Sequence, residues 1–136
     1  MPSKVFINLA VKDLPRSLEF FGALGFSVNP DFTNEQGACL VISEGSIYAM
    51  LLVEPFFKGF TKKEICNAHT HTEVLIALDV NSREEVDEMV RKAVEAGGST
   101  YMEPQDHGWM YQHSFADPDG HQWEICFMDE SKLPQP

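Results

Sequence analysis

Hydrophobic and polar residues alternate over residues 4–11, the pattern of a half-buried β-strand. Asp13 follows as a candidate helix N-cap, and apolar residues then recur at helical spacing until Gly25, a residue typical of the position beyond a helix C-terminus. Alternating segments predict three more strands, at residues 26–29, 38–43 and 47–53. The first half of the chain is therefore predicted to fold in the order β-α-β-β-β.

The same order of elements recurs in the second half. A strand is predicted at residues 73–80, and Ser82 with Glu85 has the capping-box spacing that opens a second helix, which is expected to end at Gly97. Three further strands are expected, at residues 99–102, 109–116 and 121–128. The repeat predicts an α+β fold of two βαβββ modules in a single domain at residues 1–136, with module one at about 4–53 and module two at about 73–128.

A connector at residues 54–72 separates the two modules. It carries three phenylalanines, Phe56, Phe57 and Phe60. Thr61 and Glu64 follow with the spacing of a capping box, which predicts one short helix. The phenylalanines could close a ligand pocket, or they could be core or dimer contacts, and the sequence leaves both interpretations open.

The last hairpin is predicted from its turn, Asp117-Pro118-Asp119-Gly120, because proline presets φ and glycine permits a positive φ. Glu124 lies four residues after Gly120, in the middle of a strand, where glutamate is disfavoured. One interpretation is a solvent-facing residue. The other is a metal ligand or an acid/base in a cavity, which makes Glu124 the candidate catalytic residue.

The charge and the cysteines narrow the choice of partners. A net charge of −11 argues against nucleic acid and against anionic membrane surfaces as partners. No apolar run has transmembrane length, and no signal peptide is recognisable. The three cysteines are too widely spaced for a disulfide framework or a zinc site. We therefore expect a cytoplasmic protein that binds neither nucleic acid nor membrane.

The repeated βαβββ order, the segments Val11-Lys12-Asp13-Leu14 and Leu24-Gly25-Phe26, and the final Asp-Pro-Asp-Gly-x-x-x-Glu hairpin resemble the vicinal oxygen chelate superfamily. This is the group of glyoxalases, bleomycin-resistance proteins and extradiol dioxygenases, and the chain is similar to bacterial proteins described as predicted lactoylglutathione lyases. The resemblance covers about residues 4–128. It implies mixed sheets that curl around a cup-shaped cavity, and it implies a homodimer.

In metal-dependent members of this superfamily, each module supplies one metal ligand from its first strand and one from its last. The matching positions here are Phe6 and Leu75 on the first strands, and Ala49 and Glu124 on the last. Glu124 alone has a donor group for a divalent metal, whereas a catalytic metal needs about three protein ligands. No cofactor is therefore expected. A divalent metal belongs to the alternative function, a metal-dependent lyase, isomerase or dioxygenase of the same superfamily that uses Glu124.

The leading prediction is a metal-free, mostly apolar pocket that binds an aromatic or cationic small molecule. Its contact residues are expected to be Phe6, Asn8, Ala49, Leu75, Gln112, Ser114 and Glu124. Leu51, Ala77, Met110 and Cys126 are expected to complete the wall. The register of the last hairpin decides between Ser114 and His113, because a bulge would exchange the two faces of the strand. A protein-interaction domain with a vestigial pocket is a further possibility.

Overall fold

The computed structural model describes residues 1–133, which form two compact units, one covering Met1–Cys66 and the other beginning at Asn67. The elements of the first unit are β1 (Val5–Val11), α1 (Leu14–Ala23), β2 (Ser27–Asn34), β3 (Gly37–Ser43), β4 (Ile47–Val53), α2 (Glu54–Phe57) and a 3-10 helix (Lys58–Phe60). Those of the second unit are β5 (Leu75–Asp79), α3 (Arg83–Glu95), β6 (Gln105–Asp106), β7 (Met110–Ala116), β8 (Gln122–Met128) and a 3-10 helix (Glu130–Lys132).

Each unit contains one four-stranded mixed sheet. The strand order is β1-β4-β3-β2 in the first unit and β5-β8-β7-β6 in the second. In both sheets the first strand runs parallel to the last, and the other neighbours are antiparallel. The predicted α+β class and the two similar modules are therefore confirmed.

Both long helices begin at the caps that the sequence indicates. The Asp13 side chain accepts a hydrogen bond from the Arg16 backbone N–H at 3.0 Å, and the Ser82 hydroxyl accepts one from the Glu85 N–H at 3.1 Å. Each of these bonds satisfies a backbone donor that the first helical turn leaves free. Beyond the helix ends, Gly25 and Gly97 adopt positive φ angles of 100° and 109°.

Side-chain alternation gives each sheet a packed face and an open face. Fully buried residues occupy the packed faces, namely Leu9, Leu40 and Leu51 in the first unit, and Phe115, Trp123 and Ile125 in the second. Helix α1 packs against β3 and β4, and α3 packs against β7 and β8. The open faces carry exposed apolar side chains: Phe6 is 51% exposed in the first unit, and Leu75 is 54% exposed in the second.

The prediction of a short helix beginning at Thr61 is wrong, because residues 61–64 are not helical. Helical structure lies earlier in the connector, in α2, where Pro55 occupies the first turn and presets the helical φ. The Thr61 hydroxyl does accept a hydrogen bond from a backbone N–H, but that donor is Lys63, and the result is a local turn. Because polar residues dominate the four positions from Thr61, no apolar stripe is available to pack a helix.

The strand predicted at residues 99–102 is also wrong. Ser99 makes an isolated bridge to Ala116, and the fourth strand of the second sheet is the two-residue β6, which pairs with β7. In the first unit β2 extends to Asn34, well beyond residues 26–29, across a register shift between Asn29 and Asn34. No helix among residues 1–133 is long and apolar enough to cross a membrane.

Candidate functional site

The open face of the second sheet holds a cavity of about 360 Å³. Its wall combines residues of β5, β6, β7 and β8 with Thr72 and with residues 101–103, which precede β6. The lining residues are Thr72, Leu75, Tyr101, Met102, Glu103, Gln105, Gln112, His113, Ser114, Gln122 and Glu124. The site therefore lies within one unit and mixes apolar, amide, hydroxyl and carboxylate groups.

Glu124 is in the middle of β8, which has hydrogen-bonded neighbours on both sides. Its register partners are Ala77 on β5 and Ser114 on β7, so its carboxylate lies on the open face between two small residues. The Gln112 side-chain amide lies 3.4 Å from a Glu124 carboxylate oxygen. Because a single long hydrogen bond leaves most of the acceptor capacity of a carboxylate unused, Glu124 can accept further bonds from a ligand.

Tyr101 contributes a second polar group to the same wall. Its hydroxyl oxygen is buried and has no well-formed hydrogen bond to any of residues 1–133. Burial raises the pKa of Tyr101; the nearby Ser114 hydroxyl acts in the opposite direction, and the Glu124 charge raises this pKa further. Tyr101 therefore remains a neutral hydrogen-bond donor close to Ser114 and Glu124. Sequence reasoning missed it, because Tyr101 falls in the strand predicted at residues 99–102, which the structure does not form.

A surface clamp holds the wall segment at its β6 end. The Arg83 guanidinium on α3 makes two hydrogen bonds to Asp106, at 2.7 and 3.0 Å, and lies 5.0 Å from the centre of the Tyr111 ring. These bonds hold the pKa of Asp106 at about 2. The Tyr111 hydroxyl donates to Asp87 on the same helix at 2.6 Å, and this bond raises the pKa of Tyr111 to about 12. The clamp thus joins α3 to both β6 and β7.

The turn before β8 fixes where Glu124 points. The buried Asp117 carboxylate accepts hydrogen bonds from the backbone N–H groups of Asp119 and His121, both at 3.0 Å, and from the Trp123 indole at 3.1 Å. Burial nonetheless raises the pKa of Asp117, because desolvation outweighs these bonds. The Asp117 carboxylate therefore holds the turn together and also fixes Trp123, the residue of β8 that directly precedes Glu124.

A protein-family model described as the Glyoxalase/Bleomycin resistance protein/Dioxygenase superfamily matches residues 5–125. The chain belongs to this superfamily. Among solved structures, hypothetical protein SA1046 from S. aureus is 31% identical, with a TM-score of 0.78 over 93% of this chain and 94% of that chain. A search of curated protein sequences finds no match.

More distant members of the superfamily share the fold. A glyoxalase/bleomycin resistance protein/dioxygenase family enzyme from Burkholderia phytofirmans PsJN is 18% identical, with a TM-score of 0.74 over 90% of this chain and 96% of that chain. The bleomycin resistance determinant encoded on the transposon Tn5 is 16% identical, with a TM-score of 0.63 over 94% of this chain and 99% of that chain. At these identities the likeness concerns the fold alone.

Within this superfamily fold, the second-unit cavity brings together four of the expected contact residues, Leu75, Gln112, Ser114 and Glu124. The β7–β8 pairing is regular from Met110 to Ala116, so no bulge exchanges the faces and Ser114 lies on the side of Glu124. Phe6 lines a different cavity, in the first unit. Asn8 shares the open face with Phe6 but does not line that cavity.

The placement of Ala49 on the open face is wrong, and the same correction applies to Leu51. Both are 0% exposed and lie on the packed face of the first sheet. The pairing of β1 with β4 sets Asn8 opposite Met50, as Ala77 is opposite Glu124 in the second unit. Met50 is therefore the structural equivalent of Glu124. A register shift in the β3–β4 hairpin makes counting from the turn glycine wrong by one residue.

The residues at the superfamily's metal positions do not fit a divalent metal. Those positions hold Phe6, Met50, Leu75 and Glu124, of which Glu124 alone carries an oxygen donor. The Met50 thioether is a ligand for soft metals rather than for Zn²⁺ or Fe²⁺. Among residues 1–133, no group of three His, Cys, Asp or Glu side chains is arranged to hold a metal ion.

Proposed function

We propose that this protein binds an organic cation with an apolar body in the second-unit cavity, without a metal ion. The observation that carries the proposal is the charge of the wall. Among the described lining residues, Glu103 and Glu124 are carboxylates, and none is Lys or Arg. Leu75, Met102 and the Tyr101 ring supply apolar surface around them.

The position of Glu124 favours a protonated amine over a neutral ligand. Glu124 is half-buried, and Glu103 is exposed. Attraction between opposite charges strengthens where water is partly excluded, so the inner carboxylate contributes more to binding than the outer one. A protonated amine can also donate the hydrogen bonds that Glu124 leaves open. The overall charge of −11 favours the approach of cations.

We further propose that the protein lacks glutathione-hemithioacetal isomerase activity, since the positions that would hold the metal carry Phe6, Met50 and Leu75. Elemental analysis of the purified protein should find far less than one transition-metal ion per chain, and Glu124→Gln should not change that amount. One bound metal per chain, lost in Glu124→Gln, would replace this proposal with a metalloenzyme whose other ligands are different.

A matched set of probes tests the cation site, namely naphthylmethylammonium, neutral naphthylmethanol and anionic naphthoate. The readout is the NMR signal of isotope-labelled methionine methyl groups, assigned with single Met→Leu variants. Met102 lines the second-unit cavity. We expect the ammonium to shift the Met102 signal saturably and to bind at least several-fold more tightly than naphthylmethanol, because it gains a charge-assisted hydrogen bond.

Glu124→Gln should weaken binding of the ammonium about tenfold and leave binding of naphthylmethanol nearly unchanged. The urea midpoint should stay equal or rise slightly, since a half-buried charge is removed. Glu19→Gln is the control, because it makes the same change in net charge at an exposed position of the first unit. Equal affinity for the ammonium and the alcohol, or equal losses in the two variants, would refute the cation site.

We also propose the cytoplasm as the compartment and exclude nucleic acid from the partners. The three cysteines, Cys39, Cys66 and Cys126, all lie among residues 1–133 and none is in a disulfide, as a reducing compartment favours. The charge of −11 opposes binding to phosphate backbones. Cell fractionation that recovers the protein outside the cytoplasm would contradict the first statement, and salt-sensitive retention on DNA would contradict the second.

A further inference from the structure

The open face of the first sheet holds a second cavity, of about 400 Å³. It is lined by Lys4, Phe6, Asn29, Phe32, Cys39, Tyr48 and Met50. All of these residues belong to the first unit, so the cavity does not depend on the carboxylates of the cation site. The lining of this cavity differs from the lining of the second-unit cavity in its aromatic content and in its charge.

Aromatic rings form one wall of this cavity. The Phe6 and Tyr48 rings are stacked, with centroids 4.9 Å apart and planes 11° from parallel. The Tyr48 hydroxyl accepts a hydrogen bond from the Gly45 N–H at 2.9 Å, which fixes the lower ring of the stack. Phe6 is half-exposed above it, and Phe32 on β2 is 67% exposed. A fixed aromatic stack beside a second exposed ring is a surface on which a planar ring can pack.

The charge of this cavity is opposite to that of the cation site. Of the described residues that line this cavity, Lys4 alone carries a charge. The Cys39 thiol stays neutral, because burial, with a smaller effect of Glu44, raises its pKa. Glu44 itself does not line the cavity. The ammonium of Lys4 therefore meets a mostly apolar floor made by Cys39 and Met50. An acid group attached to a planar ring would complement this arrangement.

We propose that the first-unit cavity binds a planar aromatic acid, with the ring against Phe6 and Phe32 and the acid group at Lys4. The Asn29 side chain lies at the same wall and offers an uncharged polar contact. Phe6 and Met50, which occupy superfamily metal positions, then form part of an aromatic ligand site. This proposal rests on contacts within the first unit and stands or falls separately from the cation site.

The same probes and methyl signals test this site, because Met50 lines it whereas Met102 lines the cavity of the second unit. Naphthoate should shift the Met50 signal saturably and leave Met102 unchanged. Lys4→Met should weaken naphthoate about threefold, the effect expected of an exposed charge pair, and leave naphthylmethanol unchanged at Met50. Lys62→Met, an exposed connector position, is the control for net charge.

Phe6→Leu should weaken naphthoate and naphthylmethanol alike, since it removes the ring surface that both share. The Phe6→Leu variant should fold normally, because Phe6 is half-exposed, and an unchanged urea midpoint would verify this. The proposal is overturned if naphthoate leaves Met50 unshifted at millimolar concentration, or if naphthylmethylammonium shifts Met50 as strongly as naphthoate does. It is also overturned if Met50 shifts with protein concentration alone, which would identify a second copy of this chain as the occupant.

Discussion

At the scale of single residues, Gly120 occupies a position where the backbone leaves no room for a Cβ atom. Its φ is +90°, and a Cβ atom there would lie 2.8 Å from the backbone of Ala68 and His69. We expect Gly120→Ala to lower the free energy of unfolding by about 3 kcal/mol, from the left-handed backbone and from the forced displacement of neighbouring backbone. Urea denaturation measures this loss.

Gly45→Ala is the matched comparison. Gly45 also has a positive φ, of 84°, but a Cβ atom there would meet nothing within 4 Å. Its cost should therefore be the conformational part alone, about 1 kcal/mol. Equal losses in the two variants would show that the close approach of Gly120 to the Ala68–His69 backbone contributes nothing.

The candidate site divides into residues that sequence can identify and residues that it cannot. Glu124 is identifiable because a carboxylate in mid-strand contradicts strand preferences, and because alternation puts Gln112 and Ser114 on its side. Tyr101 and Gln122 were missed. Tyr101 falls in the strand predicted at residues 99–102, which the structure does not form. Gln122 shares a face with Glu124 by alternation, but alternation alone does not show that the cavity extends to the first residue of β8.

At the scale of elements, the ion pair between Arg83 on α3 and Asp106 on β6 should make part of the free energy of unfolding depend on pH in the acid range. The Arg83 hydrogen bonds hold the pKa of Asp106 at about 2 in the fold, against an ordinary value of 3.8. A carboxyl group with a lowered pKa adds stability above its ordinary pKa and loses it as the pH falls through the lowered one. The stabilisation should therefore be complete above about pH 4 and lost by about pH 2.

Asp106→Asn should accordingly have a lower urea midpoint than the wild type at about pH 5, and the difference should vanish near pH 2. Asp31→Asn is the control, since residues 1–133 provide no cation within ion-pair distance of this exposed carboxylate. A wild-type difference from Asp106→Asn that stays constant across this pH range would mean that the clamp does not act through its charge.

Errors in the predicted elements have local physical causes. The β3–β4 hairpin carries a register shift, so a count from Gly45 reaches Ala49 on the packed face, whereas the same count from Gly120 reaches Glu124 on the open face. Sequence spacing does not reveal a bulge of this kind. The helix caps at Asp13 and Ser82 were predicted correctly, because their hydrogen bonds are made within three residues of the cap.

In the molecule as a whole, the two units share one strand order, and this repetition was the most reliable signal in the sequence. Both units put alternating apolar residues on a packed face and end their long helix before a glycine of positive φ. What differs is the chemistry of the open faces, since Glu124 corresponds to Met50 and Leu75 to Phe6. Packing constrains the repeat, whereas the open faces are free to diverge.

The edges of the two sheets lead to a prediction about assembly. β1 is an edge strand with a neighbour on one side only in its sheet, and Val5 on that strand is 46% exposed. Because an exposed apolar edge favours association, we expect a homodimer that covers the β1 edge. Light scattering at micromolar concentration should give twice the chain mass of 15.3 kDa.

Two valines of equal exposure test where the dimer forms. Val5→Lys should shift the mass toward that of the monomer, because a charge on the edge opposes pairing with a second strand. Val94 on α3 is also 46% exposed, so Val94→Lys adds the same charge and removes the same side chain away from the sheet edge, and it should remain dimeric. A wild-type mass of 15.3 kDa would rule out the dimer, and dissociation by Val94→Lys alone would move the interface to α3.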